Sequence, residues 1–142
     1  MSENVPSQSV TAYLAINGAA EAIEFYKQAF GATEHYRLPA PGGKVGHAEL
    51  IIGNSLVYLA DEAPELDFLS PTTRGGATAI FAIEVDDADA AFERAVSAGA
   101  TVDRGLRDEP YGRTGDPRDP FGHRWLVIKV NPDFKPEDME GA

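Results

Sequence analysis

The chain has 142 residues, no cysteine and a formal net charge of −11 at pH 7, which suits one domain and excludes disulfides and thiolate chemistry. The excess negative charge repels phosphate backbones, so we expect no nucleic-acid partner. No apolar run approaches the roughly 18 residues of a spanning helix, and the N-terminus lacks signal-peptide features, so we expect a cytoplasmic protein without a membrane partner.

The first part of the chain predicts one strand, one helix and three further strands. The helix ends at Gly31, and its apolar side chains recur at helical spacing on one stripe: Ala19, Ala22, Ile23, Tyr26 and Phe30. Asn17 or Gly18 is the predicted cap of this helix. The four strands are predicted over residues 10–16, 33–38, 44–52 and 55–60.

The second part of the chain repeats this plan after a connection over residues 61–76. Asp86 is the predicted N-cap of a second helix, which ends at Gly99. The strands are predicted over residues 77–85, 101–107, around 112–114 and over 123–130.

A short repeat in the amino-acid sequence supports the interpretation that the two units arose by duplication. Gly99-Ala100-Thr101 repeats Gly31-Ala32-Thr33 at a distance of 68 positions, and each tripeptide directly follows a helix. We interpret the chain as one domain over residues 9–131, built from units at about 9–61 and 77–131. Flexible tails are expected at 1–8 and 132–142.

Three segments resemble a known family. They are Ala-Ile-Glu-Phe-Tyr-Lys-Gln-Ala-Phe-Gly-Ala in the first helix, Gly-His-Ala-Glu-Leu in the third strand, and Asp-Pro-Phe-Gly-His-Arg-Trp over residues 119–125. Together they are similar to the vicinal oxygen chelate superfamily, and most to its PhnB-like branch within the glyoxalase, bleomycin resistance protein and dioxygenase family. The resemblance implies an α+β fold in which tandem βαβββ units form curved mixed sheets around a cup-shaped cleft, completed in a homodimer.

Metal ligands are the feature of this family that the chain does not reproduce. Family enzymes place His, Gln or Glu in the first and last strands of each unit, where they converge on a divalent ion. Alignment puts Thr11, Ile80 and Leu126 at three of these positions, and Val57 or Leu59 near the fourth. We therefore expect no metal and no other cofactor.

Eight residues are candidates for ligand contact. His47 and Glu49 lie two apart on a predicted strand and so share one face. Aromatic rings for stacking come from Tyr13, Tyr58, Tyr111 and Trp125, and cations for a ligand carboxylate or phosphate come from Arg113 and Arg124. Core packing is the alternative role for Trp125, and a surface ion pair is the alternative for Arg113.

Two further histidines are assigned other roles. His35 is expected on an exposed strand surface. His123 is expected to hold the turn that begins at Asp119.

The leading hypothesis is a metal-independent small-molecule binding protein that sequesters an aromatic or antibiotic-like ligand in a dimer cleft. The alternative is a divalent-metal lyase, isomerase or dioxygenase with non-standard ligands, for which His47, Glu49 and Asp61 are the candidates. A third hypothesis is a domain that serves subunit association and binds no ligand. No catalytic residue is assigned.

Overall fold

Eight strands and three α-helices form the part of the chain that the computed structural model describes, residues 5–139. In chain order they are β1 (Tyr13–Ile16), α1 (Ala19–Phe30), β2 (Thr33–Ala40), β3 (Lys44–Ile52), β4 (Ser55–Asp61), α2 (Pro71–Arg74), β5 (Ile80–Glu84), α3 (Ala88–Ala98), β6 (Thr101–Glu109), β7 (Gly112–Arg118) and β8 (Arg124–Val130). None of these helices is long and apolar enough to cross a membrane.

The strands form two sheets with the same internal order. The first sheet runs β1-β4-β3-β2 and the second runs β5-β8-β7-β6. In each sheet the first pair is parallel and the other pairs are antiparallel. The predicted tandem βαβββ arrangement of an α+β fold is confirmed.

The ends of the chain are only partly described. The predicted tails fall in part on residues 1–4 and 140–142, which lie outside the described residues. Within the first tail, the Gln8 side chain pairs with the backbone of β4 in the manner of a neighbouring strand: its Nε2 donates to the Leu56 carbonyl at 3.0 Å, and its Oε1 accepts from the Leu56 N–H at 3.1 Å. Near the other end, residues Pro136–Met139 form a 3-10 turn.

The two long helices pack on each other, and each also packs on the strands of its own unit. The core beneath α1 is built from apolar side chains that are almost fully buried: Leu14, Ile16, Ile23, Leu50 and Leu59. On α3, the Arg94 side chain donates to the carbonyls of Gln28 and Lys27, at 2.6 and 3.3 Å. These carbonyls lie in the last turn of α1 and have no partner within the helix.

The N-terminus of α1 is capped from a distant strand. Its N-cap is Gly18, one of the two predicted caps, which has a left-handed backbone (φ 103°) and no side chain to accept a hydrogen bond. Asp61, at the end of β4, supplies the missing acceptor: Oδ1 accepts from the N–H groups of Gly18 and Ala19, at 3.1 and 2.9 Å. Oδ2 accepts from the Val45 N–H at 2.7 Å, so the carboxylate is fully engaged.

The predicted cap of α3 was wrong by one residue. Asp87, and not Asp86, is the N-cap, and its Oδ1 accepts from the Ala90 N–H at 3.1 Å. Both positions carry an aspartate of the right chemistry, so residue type alone does not distinguish them. The backbone decides, because Asp87 holds the extended conformation that precedes the first helical turn.

A buried carboxylate ties the two units together. Asp119 is only 3% exposed, and its Oδ2 accepts from the Tyr26 hydroxyl at 2.5 Å and from the Trp125 indole N–H at 2.9 Å. Its Oδ1 accepts from the backbone N–H groups of Phe121 and His123, at 2.9 and 3.0 Å. Burial, and then the adjacent Asp119 charge, raise the pKa of Tyr26 well above its usual value, so this phenol stays a donor.

The turn after Asp119 also fixes the first strand. The His123 Nε2 lies 2.9 Å from the Ala15 carbonyl oxygen of β1. A carbonyl only accepts, so this nitrogen carries the proton. The predicted role of His123 and Asp119 in holding the turn is confirmed.

We predict that Asp119→Asn lowers the free energy of unfolding by about 3 kcal/mol, because an amide NH₂ would face donors that now share a carboxylate oxygen. Urea denaturation followed by circular dichroism measures this change. Asp86→Asn is the control, since Asp86 is exposed, and it should change stability by less than about 0.5 kcal/mol. Equal effects of the two substitutions would contradict the assigned role.

A second prediction concerns Glu34, on β2. It accepts from Arg37 at 2.6 Å and from Lys27 of α1 at 3.1 Å, and the hydrogen bond from Arg37 is the largest of the causes that lower its pKa to about 2. In the unfolded chain the pKa is about 4.3, so the stabilisation is complete above that value and is lost as the pH falls toward 2.

Glu34→Gln should therefore lower the free energy of unfolding by about 1 kcal/mol at pH 7 and leave it unchanged near pH 2. The value at pH 7 is small because solvent screens the ion pairs. Urea titrations at a series of pH values measure the difference from wild type. Glu24→Gln is the control because Glu24 is more exposed and bonds the same Lys27. A difference that stays constant down to pH 2 would rule out the ionic contribution.

Candidate functional site

The candidate site lies on the first sheet, on the face that points away from α1. Cross-strand pairing places Tyr13 opposite Tyr58, Tyr58 opposite Glu49, and Glu49 opposite Tyr36. The neighbouring residues in these strands point the other way, into the core beneath α1. We define the aromatic face as the row and the two histidines beside it: Tyr13, His35, Tyr36, His47, Glu49 and Tyr58.

A chain of hydrogen bonds runs through three of these side chains. The Tyr13 hydroxyl lies 2.6 Å from His47 Nδ1, and His47 Nε2 lies 2.9 Å from Glu49 Oε2. An ionised carboxylate only accepts hydrogen bonds, so Nε2 carries a hydrogen and donates a hydrogen bond to Glu49. When the imidazole is neutral, Nδ1 is therefore the acceptor, and the Tyr13 hydroxyl is the donor.

Glu49 is the charged centre of the aromatic face. It is 9% exposed, and it also accepts from the Tyr36 hydroxyl at 2.9 Å, while His35 Nδ1 lies 3.4 Å from its second oxygen. Burial alone would raise the pKa of Glu49, but hydrogen bonds from His47, Tyr36 and His35 together outweigh burial and lower it. The carboxylate is therefore ionised at neutral pH.

Tyr13 is the most exposed ring of the group, at 47%. Its ring meets three others edge to face, with centroid distances of 5.5 Å to Tyr58, 5.3 Å to His47 and 5.3 Å to Phe68. Phe68 comes from the connection between the two units. These contacts fix the Tyr13 ring and leave part of its surface open to solvent.

Two cavities adjoin Tyr13. One has a volume of about 320 Å³ and is lined also by Phe68 and His123. The other has a volume of about 620 Å³ and is lined also by Lys44, Val45 and Phe68. Tyr13 therefore borders space that can hold a small molecule.

Sequence reasoning found four members of the aromatic face and missed two. Tyr13, His47, Glu49 and Tyr58, four of the eight candidates for ligand contact, are brought together, and ligand contact by them stays a prediction. His35, expected on an exposed surface, is instead half-buried and close to Glu49, because a register shift between Glu34 and Tyr36 lets consecutive residues approach the same carboxylate. Strand alternation gives no signal of such a shift.

Two of the predicted ring contacts lie elsewhere. Trp125 is 2% exposed and packs in the core against Phe30 and Phe81, with ring centroids 4.8 and 5.2 Å away, which matches the alternative of core packing. Tyr111 lies between β6 and β7, where its ring centroid is 6.2 Å from that of Phe134. Ligand binding by either residue stays a prediction.

The two candidate arginines belong to the second unit. Arg113 forms ion pairs with Asp89 at 2.6 Å and Asp108 at 3.2 Å, which corresponds to the alternative of a surface ion pair. Arg124 donates to Asp103 at 3.2 Å. Neither forms a hydrogen bond or ion pair with the aromatic face, and their role toward a ligand stays a prediction.

The candidate metal ligands do not make a suitable donor set. The Asp61 carboxylate already accepts three backbone N–H groups, and both nitrogens of His47 are hydrogen-bonded. Between residues 5 and 139, no three His, Cys, Asp or Glu side chains are grouped so as to hold a metal ion. The residues present do not fit the alternative of a metal site at His47, Glu49 and Asp61.

Comparisons with known proteins agree with this architecture. An uncharacterized protein of Mycobacterium tuberculosis is 42% identical over 138 residues, which cover 94% of this chain and 81% of that protein. The X-ray structure of an Arabidopsis thaliana gene product is 26% identical with a TM-score of 0.68, covering 87% of this chain and 99% of the other.

A third similarity is to the crystal structure of TnmS3, an antibiotic binding protein from a Streptomyces species. It is 17% identical with a TM-score of 0.66, covering 88% of this chain and 97% of that one, a likeness that shows a shared fold alone. The model of one sequence family matches residues 9–127. The chain therefore belongs to the glyoxalase/bleomycin resistance protein/dioxygenase superfamily.

Proposed function

We propose that the protein binds a planar, partly aromatic small molecule on the aromatic face and sequesters it without a metal ion. The observation that supports this most directly is the position of exposed rings near a buried charge. Tyr13 and Tyr36 are 47% and 40% exposed; Tyr36 donates to Glu49, and Tyr13 is linked to Glu49 through His47. Stacking on rings combined with a few fixed polar groups is the usual composition of a small-molecule site.

The fold gives this proposal support by analogy. TnmS3 shares the fold and is described as antibiotic binding. A fold hosts many functions, so the argument for this chain rests on its own rings and carboxylate. We also propose that the chain belongs to the PhnB-like branch, an assignment that its sequence motifs support.

We further propose a homodimer in which a second chain covers the bound ligand. In one chain the aromatic face is open, whereas small-molecule sites bury most of the ligand surface. Among residues 5–139, strand β5 pairs only with β8, so within this part of the chain its other edge is open to a partner. Sedimentation should give about twice the chain mass of 15.2 kDa.

We predict that Tyr58→Ala weakens binding about tenfold, because it removes one ring of the stacking surface, worth about 1 kcal/mol or slightly more. Bleomycin and the anthracycline doxorubicin are the probes, and calorimetry gives the dissociation constants. Phe134→Ala is the control, since it removes an aromatic ring that lies beside Tyr111 and away from the aromatic face. Absence of binding by both probes and by a wider panel of planar antibiotics would contradict the proposed function.

Metal independence gives a separate prediction. Purified, untagged protein soaked in zinc, manganese or nickel and then desalted should retain less than about 0.1 metal ion per chain, because His47 and Asp61 are already engaged. Elemental analysis measures the ratio. Near one ion per chain, lost in His47→Ala, would overturn metal independence and favour a divalent-metal enzyme.

A further inference from the structure

We propose that Tyr13, His47 and Glu49 form a proton relay, in which the Tyr13 oxygen removes a proton from a bound carbon acid and returns it at another atom. This inference deepens the proposed function, because it assumes that the ligand lies on the aromatic face. It adds to the binding site a cofactor-independent isomerisation of planar, conjugated molecules. Tyr13 is the catalytic residue, and Glu49 is a positioning residue.

The hydrogen bonds of Tyr13, His47 and Glu49 define the direction in which a proton can move, from the Tyr13 hydroxyl to His47. Glu49 accepts at 2.9 Å from His47 Nε2, which leaves Nδ1 to accept from the Tyr13 hydroxyl at 2.6 Å. This is the logic of a catalytic triad, with a phenol in place of the serine hydroxyl. Tyr36 and His35 hold the carboxylate in place and keep it ionised, so that it stabilises a positive charge on the imidazole.

The proposed step balances within the protein and its substrate. The Tyr13 oxygen takes a proton from carbon while its own proton passes to His47 Nδ1, so the substrate becomes an anion and His47 becomes an imidazolium. Return of a proton to a second substrate atom restores both groups. One hydrogen and one double bond have then moved, and no oxidant or reductant is required.

The Tyr13 hydroxyl must lose its own proton in the same step in which its oxygen takes a proton from the substrate. Burial, and then the negative charge of Glu49, raise the pKa of Tyr13, so free phenolate is scarce at neutral pH. A neutral imidazole beside the hydroxyl removes this difficulty, because it receives the proton directly. Tyr13 is 47% exposed and lines two cavities, and the proposal places the substrate in one of them, against the hydroxyl.

Tyr36 is an internal control for this inference. It is exposed to a similar extent, at 40% against 47%, and its hydroxyl is also hydrogen-bonded within the same face. Its acceptor is the Glu49 carboxylate, whose lowered pKa makes it a much weaker base than imidazole. The relay therefore predicts that Tyr13 and Tyr36 differ in reactivity although their exposure is similar.

The first experiment is labelling with p-toluenesulfonyl fluoride, followed by peptide mass spectrometry. The phenol oxygen bonds to sulfur, the S–F bond breaks, fluoride leaves, and the phenol proton passes to His47. Tyr13 should react at least about tenfold faster than Tyr36, and His47→Gln should remove this advantage. Glutamine retains a hydrogen-bond acceptor without the basicity, and circular dichroism verifies that the variant is folded. Equal rates for the two tyrosines, or no effect of His47→Gln, would overturn the relay.

The second experiment tests proton removal from carbon with 5-nitrobenzisoxazole, a planar probe. Loss of its C–H proton breaks the N–O bond and releases a coloured cyanophenolate. Wild type should exceed Tyr13→Phe about tenfold, whereas Thr101→Val, which removes an exposed hydroxyl at the start of β6, should retain the rate. Glu49→Gln should lower the rate and change the tautomer of His47 in ¹⁵N spectra, an effect that a loss of packing alone would not cause.

The outcomes separate this inference from the proposed function. Protection of Tyr13 from labelling by doxorubicin, without turnover of the benzisoxazole, would retain the binding function and overturn the catalytic one. Selective, His47-dependent labelling without protection by any planar compound would retain the relay and contradict ligand binding on this face.

Discussion

The buried carboxylate of Asp119 is the interaction on which the rest of the structure depends. An ionised group in an apolar core is costly unless hydrogen bonds replace its hydration, and Asp119 has four donors. One donor comes from helix α1 of the first unit, and the others come from β8 and the turn before it. The two units therefore share a single buried charge, and a shift of either unit would leave it short of donors.

This constraint extends to the aromatic face. The turn held by Asp119 carries His123, which bonds the Ala15 carbonyl of β1, two residues from Tyr13. The strand that presents the Tyr13 ring is thus fixed on one edge by β4 and on the other by the second unit. A rigid strand suits a site whose chemistry requires a hydroxyl and an imidazole to keep a 2.6 Å separation.

The two sheets differ in chemistry although their topology is the same. The first sheet presents rings around one carboxylate, whereas the second carries arginines paired with acids, such as Arg107 with Asp116 at 3.0 Å and Arg118 with Asp103 at 3.0 Å. Such pairs neutralise each other and leave little free charge for a ligand. The same topology occurs twice, and tyrosine and histidine side chains gathered around one carboxylate are found on the first sheet.

Features of the fold and the site that depend on residues close together in the sequence could be predicted, whereas features that depend on distant residues could not. The periodicity of the two long helices and the two-residue spacing of His47 and Glu49 are local patterns, and they correctly placed these helices and put these two side chains on one face. The short helix α2 lies within the predicted connection and was not predicted, and β7 extends to Arg118, beyond the predicted 112–114. The register shift near Tyr36 depends on how two strands pair, and Phe68 reaches Tyr13 from a connection without periodicity. Asp61 was a metal candidate by residue type alone, and only the folded chain shows that its oxygens are occupied.

The role of Asp61 also bears on the order in which the chain can fold. Helix α1 begins at a glycine that cannot cap it, and the acceptor for its first N–H groups lies 42 and 43 residues further along the chain. During synthesis the helix therefore leaves the ribosome well before its cap, and its first turn gains a partner only after β3 and β4 have paired. The N-terminal cap of this helix is thus a property of the completed first unit, and of no shorter segment.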